Sequence, residues 1–166
     1  YPVLFSCAVA LGLGMDANEI IAGVDSFIPS RMRMDVKRLG NNIVVLDDSY
    51  NANPQSMTAG LNVLAERDAK KRIAVLGDML ELGEYSEQLH REIGELCKEL
   101  GIDVVLTQGE KAEIIAQYAN GRHCRNKMEL AVALQEEVKD GAAILVKASR
   151  GMHFEEVVQF LEERYK

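Results

Sequence analysis

The chain has 166 residues, of which 48% are hydrophobic and 27% charged, and its net charge is −7. That is the size of one ordinary domain with material for one real core, and the acidic balance provides no general electrostatic footprint for nucleic acid or an anionic membrane. Polar and charged residues interrupt every apolar stretch before the ~20 residues a membrane span requires, and no basic flank precedes an apolar run at the start. Cys7, Cys97 and Cys124 are odd in number and lack CxxC spacing, which favours reduced thiols in a cytoplasmic protein over a disulfide framework or structural zinc.

In chain order, Val3 to Gly14 reads as a nearly all-apolar helix ending at glycine, and Ala17 to Phe27 as a second helix capped by Asp16. An all-apolar helix needs cover, so the natural protein is expected to extend upstream, with a boundary near residues 27–30. Met34, Val36 and Leu39, then Gly40-Asn41-Asn42, then Ile43 to Leu46 have the pattern of a β-hairpin. After the polar run Asp47-Asp48-Ser49-Tyr50-Asn51-Ala52-Asn53-Pro54, a helix is predicted through about Arg67. Further on, strands at Ile73–Leu76, Val104–Leu106, near His123 and at Ala143–Val146 alternate with helices at Ser86–Leu100, Glu110–Ala119, Lys127–Val138 and a last one ending near Glu163. The alternation predicts an α/β fold: a mostly parallel sheet of about six strands, an antiparallel first strand, and helices on both faces. Right-handed crossovers then bring the strand-to-helix loops to one edge.

Those loops hold the polar chemistry. No GxGxxG follows the first parallel strand and no GxxxxGK[ST] occurs, so a dinucleotide is disfavoured and any triphosphate must be cradled elsewhere. Two carboxylates, a phenol and two carboxamides in the 47–54 loop suit a polar ligand, or else form a capped polar turn. Asp48 has two acceptor oxygens for a ribose diol, and Arg33 across the hairpin either steers a phosphate or pairs with that acid. The plainer alternatives are a carboxylate at a helix N-terminus and a solvated strand residue. Lys147, Ser149 and Arg150 follow the last strand and converge on a carboxylate or phosphate receptor, unless Ser149 is a turn residue and Arg150 a surface charge. Asp78 and Glu81, between Gly77 and Gly83, belong either to a lid or to a packed turn whose Met79, Leu80 and Leu82 finish the core. His90 reads as a solvated helix histidine, and no metal-ligand set or covalent nucleophile can be assembled.

The 47–54 run, together with Gly77-Asp78-Met79-Leu80-Glu81-Leu82-Gly83 and Lys147-Ala148-Ser149-Arg150-Gly151-Met152, resembles the carboxyl-terminal part of the Mur ligase family, in its MurF branch. The resemblance runs from Tyr1 to Lys166. It implies that residues 1–30 close a preceding ATPase domain and that residues 31–166 form a Rossmann-like carboxyl-terminal domain. It further implies an ATP- and Mg2+-dependent ligase that adds D-alanyl-D-alanine to UDP-N-acetylmuramoyl-tripeptide in peptidoglycan precursor synthesis. The phosphate loop, the magnesium ligands and the catalytic groups would belong to preceding domains, so these 166 residues alone are expected to be inactive. Carried over by position, Arg33, Asp48, Tyr50, Asn51 and Asn53 form the expected nucleotide-binding set, and Asp78, Lys147, Ser149 and Arg150 the substrate-binding set. Ala148 stands where the family usually has glycine, which matters if that position needs a positive φ. The alternatives are the same domain of a glutamate-type ligase, disfavoured by Asn51-Ala52-Asn53-Pro54, and a noncatalytic nucleotide-binding module.

Overall fold

A computed structural model describes residues 2–27 and 31–166, and the chain divides into two units, Tyr1–Ser30 and Arg31–Lys166. Most of the predicted 27–30 boundary falls outside the described residues. In the first unit, helix α1 (Pro2–Gly12) precedes α2 (Ala17–Asp25). Asp16 opens α2 with a capping box: its carboxylate accepts from the Asn18 and Glu19 amides, and Glu19 accepts in return from the Asp16 amide. Leu4, Phe5, Leu11 and Leu13 remain exposed.

The second unit opens with the hairpin β1 (Asp35–Arg38) and β2 (Val44–Asp47). Asn41 and Asn42 both adopt positive φ, 57° and 54°, at the centre of the Gly40–Ile43 turn, which the Ile43 amide closes by donating to the Gly40 carbonyl at 3.3 Å. Then follow α3 (Pro54–Ala65), β3 (Lys71–Gly77), α4 (Ser86–Glu99), β4 (Val104–Gln108), α5 (Ala112–Ala119), β5 (Arg122–Cys124), α6 (Lys127–Glu137), β6 (Ala142–Lys147) and α7 (Glu155–Arg164). The six-stranded sheet has the order β1-β2-β6-β3-β4-β5, and all pairs but the hairpin are parallel.

Side-chain alternation splits the core in two. Ile73, Val75, Ile144 and Val146 point to one face and pack with Leu130 and Leu134 of α6 and with Val158 and Leu161 of α7. Ala74, Leu76, Ala143 and Leu145 point to the other, against Met57, Leu61 and Leu64 of α3, Ile93 and Cys97 of α4 and Ile115 of α5. Each fully buried Leu or Ile contributes about 1.5–3 kcal/mol, so both faces anchor the sheet. Strand β6, buried along all six residues, is the last to form in chain order yet lies between β2 and β3. Its insertion brings the loops after β2, β6 and β3 side by side.

Among the described residues, no helix is long and apolar enough to cross a membrane. The cysteines are free, and burial pushes the Cys97 thiol up to about 12 and raises that of Cys124. Ala148 is fully buried without a positive φ, so alanine is accommodated there. The cost falls on Gly77: an added Cβ would lie 2.6 Å from the Ala148 Cβ and 2.8 Å from the Phe154 ring. Gly77→Ala is therefore expected to lower stability by about 1–3 kcal/mol in urea unfolding. Adding Ala148→Gly should recover part of the loss, and an unchanged midpoint for Gly77→Ala would refute the packing argument.

Candidate functional site

The carboxyl ends of β2, β6 and β3 are joined by side chains that the sequence placed in separate motifs. Asp48, just past β2, accepts from the Met34 amide at 3.0 Å through Oδ1. Its Oδ2 meets the ammonium of Lys147, at the end of β6, at 2.5 Å. Lys147 Nζ also donates to the Asn51 carbonyl at 2.9 Å. Ser149 ties three loops together: its amide donates to the Asp78 carbonyl at 3.0 Å, its Oγ accepts from the Leu80 amide at 2.9 Å, and its hydroxyl reaches the Ala52 carbonyl at 3.4 Å.

Asp47 is buried, and burial raises its carboxyl above the usual range against the opposing hydrogen bonds from the Ser49 hydroxyl and amide. Asn53 caps α3 by accepting from the Ser56 amide at 2.8 Å, and it is this residue, not Asp48, that occupies the helix start.

The open surface lies beside this interlocked base. A cleft of about 460 Å³ is lined by residues that include Tyr50, Asn51, Asn53, Glu81, Ser149 and Arg150. The Arg33 guanidinium lies 4.1 Å from the Tyr50 ring centroid and that of Arg150 5.9 Å away, so one exposed ring holds two cations by its π face. Arg33 thus stacks on Tyr50 instead of pairing with Asp48, which Lys147 holds. Arg150 is also fixed by Glu155 Oε1 at 3.4 Å and touches the Met32 sulfur. Sequence reasoning missed Glu155, whose only signal was an acid in the first turn of α7. Burial is the largest influence on its carboxyl and raises it. Its own backbone amide, His153 and Arg150 outweigh that and hold the carboxyl below the usual range. Its Oε2 is buried without a hydrogen-bond partner among the described residues.

Three expectations change. Asp78 is not brought to the cleft: its carboxylate accepts from the Glu110, Lys111 and Ala112 amides at 3.1, 3.0 and 2.7 Å and caps the start of α5. The carboxylate lies so close over Gly109 (φ 130°) that any Cβ there would collide with it. Met79 is 1% exposed and finishes the core, as a packed turn requires.

Lys147 does not converge with Arg150 on an open receptor, since its side chain is 1% exposed and turned to Asp48. His90 is not solvated but fully buried. Its Nε2 accepts from the Met79 amide at 3.0 Å and its Nδ1 lies 2.7 Å from the Ser86 carbonyl, so it holds the 77–83 loop as the neutral Nδ1–H tautomer. The helical period placed His90 on α4 but could not show that the loop after β3 folds back over it.

Among the described residues no three His, Cys, Asp or Glu side chains come together to hold a metal.

Burial lowers the His90 pKa from 6.5, opposed by the Ser86 carbonyl. A histidine kept neutral in the fold gives its full stability above pH 6.5 and loses it as pH falls below that value, because the unfolded chain takes up the proton first. His90→Gln should be less stable than wild type by about 1–3 kcal/mol at high pH. In urea unfolding at pH 8 and pH 5 the gap should narrow at the lower pH, and a pH-independent gap would refute the neutral buried state.

Residues 32–150 match the Mur ligase, glutamate ligase domain. The chain is 39% identical to the UDP-N-acetylmuramoyl-tripeptide--D-alanyl-D-alanine ligase of Escherichia coli K12 over 96% of this chain and 36% of that protein. It is 34% identical to the enzyme of the same name from Bacillus subtilis 168, over 94% of this chain and 36% of that protein. Among solved structures, MurF from Acinetobacter baumannii superposes with a TM-score of 0.85 at 28% identity, covering 97% of this chain and 36% of that one. MurF from Thermotoga maritima in complex with ADP gives 0.76 at 29% identity, over 95% and 36%. The chain spans about a third of the length of the curated relatives it matches.

Proposed function

The chain belongs to the Mur ligase family, and from that premise we propose that it is the nucleotide- and acceptor-covering carboxyl-terminal domain of an ATP-dependent ligase. In this reading the complete enzyme joins D-alanyl-D-alanine to UDP-N-acetylmuramoyl-tripeptide in the cytoplasm, as a step of peptidoglycan precursor synthesis. The observation that carries the proposal is the meeting of the 47–54, 77–83 and 147–151 loops at one cleft, with Arg33, Tyr50 and Arg150 gathered beside it. The names of the full-length relatives support the choice of acceptor, and the ADP complex of the Thermotoga maritima protein supports the nucleotide.

The chemistry assigns work to this domain without giving it a bond to break. The tripeptide carboxylate attacks the γ-phosphorus of ATP, ADP leaves, and an acyl phosphate forms. The dipeptide amine then attacks the acyl carbon, phosphate leaves, and the amine nitrogen gives up a proton. An acyl phosphate hydrolyses if water reaches it, so closing a domain over it preserves the intermediate while delivering the amine. Asp48 presents a fixed carboxylate to the ribose hydroxyls, and Arg33, parked on Tyr50, meets phosphate charge. Asn51 and Asn53 line the cleft itself. Arg150, held by Glu155 and facing the same cleft, takes the dipeptide carboxylate. Residues 1–30 are assigned to the end of the preceding ATPase domain.

The test is ADP release and product formation by the complete enzyme, with D-alanyl-D-alanine and L-glutamate offered as separate acceptors. Product with the dipeptide alone is expected. Product with glutamate alone moves the chain to a glutamate-type ligase, and no ATP-dependent product with either refutes a ligase.

Within the ligase reading, Arg150→Ala should raise KM for the dipeptide about tenfold or more and leave KM for ATP within about twofold. Asp48→Asn should do the reverse. Equal effects on both substrates would overturn this division of the cleft.

A further inference from the structure

Lys147 stands at the centre of the carboxyl edge with a side chain that is 1% exposed, while its neighbour Arg150 is open to the cleft. The lysine stem runs beneath α3 so closely that a Cβ on Gly60 would touch Lys147 Cδ at 3.5 Å. Its ammonium has two fixed oxygen partners: Asp48 Oδ2 at 2.5 Å, with a side chain 16% exposed, and the Asn51 carbonyl at 2.9 Å. Reaching a ligand in the cleft would mean leaving both partners, and Asp48 would then keep a largely buried charge without its cation. The other Asp48 oxygen is held by the Met34 amide, so the carboxylate is gripped from the hairpin on one side and from β6 on the other. Each of its oxygens retains lone-pair capacity for a further donor.

We infer that Lys147 is a positioning residue for the nucleotide side of the site and makes no contact with the acceptor. It acts by setting the direction of the Asp48 carboxylate, and the Asn51 carbonyl is the second anchor of its ammonium. The residue thus belongs by sequence to the 147–151 motif and by function to the 47–54 motif. This inference rests on the functional reading above, from which it takes the assignment of Asp48 to the nucleotide.

The experiment compares wild type, Asp48→Asn, Lys147→Met and the double variant of the complete enzyme. ATP and D-alanyl-D-alanine are varied in turn, and ADP binding is measured by calorimetry without acceptor. Lys147→Met is expected to raise KM for ATP and weaken ADP binding about tenfold or more, with KM for the dipeptide within about twofold of wild type. Adding Lys147→Met to Asp48→Asn should change neither KM nor ADP binding by more than about twofold, since a residue that acts through Asp48 has nothing left to orient.

A dipeptide KM that rises as much as that for ATP overturns the inference, as does a double variant with weaker acceptor use than Asp48→Asn. A purely structural role would lower kcat or yield without this split between substrates. If Lys147→Met does not fold, the double variant leaves no buried charge unpaired and decides alone. ATP use impaired as in Asp48→Asn with normal dipeptide KM supports the inference, and impaired dipeptide KM refutes it. Wild type that binds ADP but does not ligate the dipeptide refutes the acceptor assignment instead, and the ADP affinities of the four proteins still test Lys147.

Discussion

An ammonium group enclosed at the end of the central strand must have fixed oxygen partners. Removing such an ion from water costs several kcal/mol, and only a close counter-charge with further hydrogen bonds offsets that. Asp48 and the Asn51 carbonyl provide them for Lys147, and the arrangement of the carboxyl edge follows. The 47–54 loop is drawn over β6, which brings the Ala52 carbonyl to the Ser149 hydroxyl. Ser149 in turn holds the loop after β3 through the Leu80 amide and the Asp78 carbonyl. Asp78 then caps α5, and His90 of α4 takes the Met79 amide. Hairpin, three loops and two helices are joined by polar groups that mostly face one another, not solvent.

This interlocking separates residues that are buried and engaged from residues exposed around the candidate cleft. Lys147, Ser149, Asp78 and His90 are buried and engaged, whereas Arg33, Tyr50, Asn51 and Arg150 are exposed around the cleft. Fixed dipoles and charges beneath a surface that offers cations and carboxamides need little rearrangement when a charged ligand arrives, which is the physical content of preorganisation. Glu155 extends the same logic outward, because it anchors Arg150 at one end while the Tyr50 ring attracts it at the other.

The order of the sheet explains why motifs far apart in the chain share one site. Asp48 and Lys147 are 99 residues apart, yet their strands are hydrogen-bonded neighbours because β6 enters between β2 and β3. An exchange of Gly77 for a larger residue would press on Ala148 and Phe154 at the same junction, so packing there and the placement of the polar groups are one constraint.

Much of this was legible in the residues themselves. Hydrophobic periodicity and the Asn41-Asn42 turn determined the elements, the antiparallel hairpin and the parallel remainder, since those patterns depend on backbone geometry over a few residues. The three polar motifs determined where the chemistry gathers, because parallel strands joined by right-handed crossovers send their following loops to one edge. What each polar side chain does was decided only by the tertiary structure. Residue type and spacing do not tell whether a lysine after a buried strand turns outward to a ligand or inward to an acid 99 residues away. The same holds for His90 on its helix and for Asp78 beside a glycine. Burial and hydrogen-bond partners come from elements distant in sequence, and those engaged Lys147, His90 and Asp78 within the carboxyl edge and left Arg33, Tyr50 and Arg150 exposed at it.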